Sequence, residues 1–99
     1  MSRMVEKHPQ ALIDLIELAD YLSLDDARIA QRFIESAAQT FDLLATMPNL
    51  GRAHPSEIDG LHVWHVHGFD TILIFYIKRK EAISIIRVLH TKRDIENLL

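Results

Sequence analysis

The chain contains no cysteine, which removes disulfide frameworks, thiolate nucleophiles and every cysteine-containing zinc site. No apolar run approaches the roughly 18 residues that a membrane span requires. Residues 1–10 carry no apolar signal core ahead of Pro9. A cytoplasmic protein without membrane contact is therefore expected. Glycine occurs only three times, and no glycine-rich phosphate loop, paired metal carboxylates or serine nucleophile elbow is present. On these grounds no cofactor is expected.

What is present is ordinary for a folded domain: 99 residues, 48% hydrophobic and 25% charged, enough for one two-layer core and too few for a second. A single domain over residues 1–99 follows. The formal net charge is −3, but it is unevenly placed. Residues 9–47 hold seven acids against two bases, a net −5, whereas residues 78–93 hold six bases against Glu81, a net +5. Such asymmetry speaks to partners rather than to fold, and the basic end is expected to face something acidic.

Residues 3–8 form a short mixed segment ended by Pro9, compatible with an edge strand. From Gln10, Leu12, Leu15, Ile16, Ala19 and Leu22 recur at helical steps, with Asp14, Glu17 and Asp20 on the opposite side, which predicts an amphipathic helix. Residues 23–26 supply helix-start chemistry. A second helix follows, with Ile29, Ala30, Phe33, Ile34, Ala37, Ala38, Phe41, Leu44 and Ala45 facing inward, and Pro48 and Gly51 end it. The short break makes the two helices an antiparallel hairpin. Beyond irregular residues 48–60 the pattern becomes extended: Leu61–Val66, a His67-Gly68 turn, Phe69–Lys78, a turn over residues 78–81, and Ala82–His90. The predicted class is α+β: a short N-terminal strand, then a two-helix hairpin packed on a mainly antiparallel sheet. That sheet ends in a three-strand meander, followed by a short C-terminal helix or tail. Residues 72–77 run apolar without alternation, so both faces of that strand are expected to be covered. The second cover is either Ile95, Leu98 and Leu99 or a partner protein.

Chemistry-bearing residues concentrate in the last strand. A buried strand carries an arginine near its middle only if the charge is partnered. Regular alternation puts Arg87 with Ile83, Ile85 and Leu89, and His90 with Ile86 and Val88, so the two are not aimed at one another. Arg87 suits a phosphate or carboxylate, and His90 suits proton transfer near neutral pH. The structural alternative pairs Arg87 with Glu57 or Asp59 and leaves His90 capping the strand end. His62, His65 and His67 invite a metal, but only His65 and His67 share a face, short of the four ligands of a structural site. No metal is expected. Lys78, Arg79 and Lys80 count as a functional patch only together with Lys92 and Arg93.

The order strand, helix hairpin and meander resembles the RelE/ParE superfamily of type II toxins over nearly the whole chain. The resemblance is carried by residues 11–17 and 30–33, by the turn of residues 44–52, by Gly60-Leu61-His62-Val63-Trp64 and Ile74-Phe75-Tyr76, and above all by residues 86–94, closer to the ParE branch. It implies a bacterial toxin of a toxin–antitoxin system, neutralised by a co-expressed antitoxin with an acidic amphipathic segment. Growth arrest under stress would be its output, through inhibition of DNA gyrase by binding alone. One alternative is a metal-independent endoribonuclease cleaving mRNA on the ribosome. Another is a non-toxic relic that still binds antitoxin. On the resemblance, Arg87, His90, Lys92 and Arg93 contact the target. Leu15, Leu22, Trp64, Phe75, Tyr76, Lys78 and Arg79 meet the antitoxin. No catalytic residue is expected; a nuclease would use Arg52, Glu57, Arg87 and His90.

Overall fold

The computed structural model describes residues 2–99. Its elements are β1 (Met4–Lys7), α1 (Pro9–Ser23), α2 (Ala27–Thr46), β2 (Arg52–Ala53), β3 (Leu61–Val66), β4 (Phe69–Lys78), β5 (Ala82–His90) and α3 (Ile95–Leu98). The five strands form one sheet in the order β1-β5-β4-β3-β2. β1 runs parallel to β5, and the other pairings are antiparallel. The α+β expectation is met.

Local chemistry explains the boundaries. Pro9 stands at the start of α1, where its fixed φ suits a helix and its missing N–H goes unneeded. Asp26 caps α2 by accepting from the Arg28 amide at 2.8 Å. Gly68 turns the β3–β4 hairpin with φ of +78°, a left-handed conformation that side chains resist.

The helix hairpin covers one face of the sheet, burying Ala11, Phe33, Ala37, Phe41 and Leu44 against Ile74, Tyr76, Ile83, Ile85 and Val88. On the other face Leu61, Val63, Phe75 and Leu89 are closed over by Ile58, Ile95, Leu98 and Leu99. The chain's own C-terminus therefore supplies the second cover of β4.

Two helical expectations are corrected. Leu12 and Ile16 lie outward, 46% and 61% exposed, and with Ile13 they form an apolar outer surface. The inward side of α1 is Ala11, Leu15, Leu18, Ala19 and Leu22, and it includes Asp14, only 4% exposed. On α2, Ile34 and Ala38 also face out. α1 is thus apolar on two sides, and periodicity alone cannot say which of them meets the sheet.

The turn before β2 is built on one tyrosine. The Tyr76 hydroxyl donates to the Pro48 carbonyl at 2.8 Å and accepts from the Gly51 amide at 2.9 Å. A Cβ on Gly51 would meet the Tyr76 ring and the Val63 carbonyl, each at 2.8 Å. Gly51 is required by close approach.

Candidate functional site

β1 stops at Lys7, opposite Ile85, while β5 continues to His90. The outer edge of β5 beyond Ile85 therefore lacks a strand partner, and α1 supplies a substitute. The Asp14 carboxylate accepts from the Val88 amide at 3.0 Å, where a neighbouring strand's carbonyl would otherwise sit. The same carboxylate takes the Arg87 guanidinium in a two-pronged pair, Nε at 2.8 Å and Nη2 at 3.0 Å. The remaining Arg87 prong, Nη1, donates to the Leu98 carbonyl at 2.7 Å. One arginine thereby fastens α1, β5 and the C-terminal cover together. The Asp14 hydrogen bonds hold its pKa above the ordinary arginine value against the opposing effect of burial, so it remains charged at any accessible pH.

Arg87 reaches this position through a bulge. Tyr76 pairs with Ile85 and Phe75 with Arg87, leaving Ile86 as an extra residue. The bulge resets the alternation, so Ile83 and Ile85 share the helix-covered face with Val88, whereas Leu89 lies on the other. Uninterrupted alternation mis-assigned these faces. The partner of Arg87 is Asp14, not Glu57 or Asp59. The pattern did hold a signal for Asp14: it lies three residues after Ala11 and four before Leu18, on the stripe that packs inward.

Between α1 and the end of β5 lies a cleft of about 280 Å³. Glu17, Leu18 and Tyr21 form the α1 wall, and Val88, Leu89, His90, Lys92 and Arg93 form the other. The His90 side chain accepts from the Lys92 amide through Nδ1 at 3.1 Å, which tightens the turn leaving β5. Lys92 and Arg93 are exposed. Glu17, Leu18 and Tyr21 were not singled out from the sequence, because an acid and an aromatic on a helix read as ordinary surface.

The basic end divides in space. Lys78 and Arg79 sit at the β4–β5 tip, bound to Asn49 Oδ1 at 2.9 Å and Ser84 Oγ at 2.8 Å. Lys92 and Arg93 follow the far end of β5, roughly 26 Å away at about 3.3 Å per strand residue. They form two patches, not one.

The nuclease set is not assembled either. Arg52 pairs with Val63, Val63 with Phe75, and Phe75 with Arg87, so the two arginines occupy one row across the sheet. Three strand spacings separate their backbones by about 14 Å. Glu57 is exposed in the loop before β3. Of the residues expected to meet an antitoxin, Phe75 and Tyr76 are fully buried, and Leu15 and Leu22 pack against the core. Trp64 is half-buried, and Lys78 and Arg79 are exposed. The large apolar side chains exposed on the helices, among the described residues, are Leu12, Ile13, Ile16, Tyr21, Ile34 and Leu43 instead. His62 Nδ1 lies 2.8 Å from the Gly60 carbonyl, and His65 faces Asp70 at 4.0 Å. Among the described residues no three potential metal ligands cluster, and no helix is long and apolar enough to cross a membrane.

A family model described as "ParE toxin of type II toxin-antitoxin system, parDE" matches residues 5–95. Among solved structures, a chain of "Chromosomal ParDE TA system from P. aeruginosa" superposes with a TM-score of 0.72 at 19% identity, covering 90% of this chain and 96% of that one. A comparison with curated proteins found no match. The fold agrees with that structure, and the family model spans nearly all of the sheet and both long helices. The chain belongs to the ParE toxin family of type II toxin–antitoxin systems.

Proposed function

We propose that this toxin acts in the cytoplasm by binding DNA gyrase, without chemistry of its own, and that a cognate antitoxin neutralises it. The observation that carries this reading is the dispersal of the groups a nuclease would need. Metal-free RNA cleavage calls for a base, an acid and a cation converging within hydrogen-bond reach of one phosphate. Here the backbones of Arg52 and Arg87 lie about 14 Å apart by strand spacing. The Arg87 guanidinium is already held by Asp14 and the Leu98 carbonyl. The acidic outer helices add a further obstacle to an RNA surface. What remains exposed beyond the end of β5 is Lys92 and Arg93, with half-buried His90 beside them, suited to docking on a protein.

Induced expression without antitoxin is expected to stop growth and to trap DNA cleavage complexes. Purified toxin is expected to block gyrase supercoiling. Unaffected supercoiling at stoichiometric excess, together with rapid loss of messenger RNA in arrested cells, would reverse the assignment. Normal growth would leave only antitoxin binding.

A further inference from the structure

His54 stands under the C-terminal cover with one ring nitrogen unpaired. It follows β2, its amide donates to the Leu61 carbonyl at 2.9 Å, and its ring lies edge-on to Phe75 with centroids 5.2 Å apart. Nε2 is, among the described residues, the one buried side-chain nitrogen or oxygen without a hydrogen-bond partner. A neutral ring leaves it so in either tautomer, because no acceptor is within reach of an N–H there and no donor within reach of a lone pair. An orphan of this kind costs stability. The group that faces it belongs to α3: Glu96 Oε1 lies 3.7 Å from Nε2, on a side chain 78% exposed and therefore free to close the gap.

We propose that His54 is a proton-operated latch on the C-terminal cover: the imidazolium draws Glu96 and α3 onto the sheet, and deprotonation releases them. A proton on Nε2 supplies the missing donor and, in the same step, a charge that meets the carboxylate. The other surroundings leave the latch to Glu96. Phe75 on β4 and Leu61 on β3 carry no charge, and Arg87 on β5 is answered by Asp14. Asp94 at the start of α3, and Glu57 and Asp59 on the loop after His54, outnumber Arg52, and all four are exposed. His90 is occupied in the turn before α3, where its Nδ1 accepts from the Lys92 amide. The latch is thus engaged while the His54 ring is charged and lost as pH rises through the histidine range. What it governs is the fit of Ile95, Leu98 and Leu99 over Leu61, Val63, Phe75 and Leu89. The Arg87 bond to the Leu98 carbonyl has no proton to lose in that range. It keeps the cover tethered while His54 sets how closely α3 lies.

The test follows the His54 ring and the methyl resonances of Ile95, Leu98 and Leu99 by NMR in the full chain, from about pH 8 to about pH 5. The methyl resonances are expected to move along the curve of the His54 ring. Exchange protection of the Leu99 amide, which donates to the Ile95 carbonyl at 3.0 Å, is expected to rise about 5-fold toward the acid end. Glu96→Gln removes one charge from an exposed side chain and is expected to abolish both responses. The proposal is overturned by methyl shifts that follow the His90 ring instead, by responses that survive Glu96→Gln unchanged, or by equal Leu99 protection at both ends of the range. These measurements read the cover alone and do not depend on which target the toxin binds.

Discussion

Asp14 is the residue on which the end of β5 depends, because one buried carboxylate answers both a guanidinium and a strand amide. Removing one partner of such a pair leaves the other charged and buried, a much larger loss than the pair's net contribution. Asp14→Ala is expected to lower unfolding free energy by about 3 kcal/mol, read as a shift in the urea midpoint. Arg87→Ala should cost a similar amount, and the double variant much less than the sum. Additive losses would mean that the two side chains do not act as a unit. Tyr76 contributes in a different way. Burial pushes its hydroxyl pKa above the usual tyrosine value, opposed by the Gly51 hydrogen bond. A folded pKa raised above the unfolded one gives stability that is complete below about pH 10 and lost as pH climbs through the folded value. Tyr76→Phe should therefore cost about 1 to 3 kcal/mol at neutral pH, where it orphans the Gly51 amide and Pro48 carbonyl. It should also flatten the decline in stability above pH 10. An unchanged alkaline limb would show that Tyr76 does not ionise on unfolding there.

The C-terminal cover is a short element with a large duty. α3 spans only Ile95–Leu98, yet Ile95, Leu98 and Leu99 close over Leu61, Val63, Phe75 and Leu89, and the Leu98 carbonyl holds one prong of Arg87. Ending the chain after Asp94 uncovers an apolar sheet face. The truncated protein is expected to bind a hydrophobic dye, lose several degrees of melting temperature and retain its secondary structure by circular dichroism. A melting curve unchanged from the full chain would make the cover dispensable. Element types and most boundaries could be read in advance because helices and strands leave different periods in the chain, and because Pro9, Asp26 and Gly68 mark the stops. What could not be read were the two features that depend on neighbours. The bulge at Ile86 changes which side chains share a face without leaving a mark in composition. The inward stripe of α1 competes with an equally apolar outer one, so periodicity sets Asp14 on the wrong side and directs Arg87 to Glu57 or Asp59 instead.

Charge over the whole molecule follows the same lesson: a net +5 over residues 78–93 is one number along the chain but two patches in space. An acidic segment that touches both has to span roughly 26 Å, about eight extended residues at 3.3 Å each or some 17 helical residues at 1.5 Å. Distant charge reversals add when each patch meets the ligand independently. Lys78→Glu with Arg79→Glu, and Lys92→Glu with Arg93→Glu, are each expected to lower affinity for an antitoxin spanning both ends about 10-fold, or about 1.4 kcal/mol. Together they should approach 100-fold, with a shallower dependence on salt. Toxicity is expected to separate the two ends: reversal at Lys92 and Arg93 weakens gyrase inhibition, whereas reversal at Lys78 and Arg79 leaves supercoiling inhibition intact. Equal loss of inhibition from both pairs, with folding preserved, would mean that the target grips the full length of β5 and not its end.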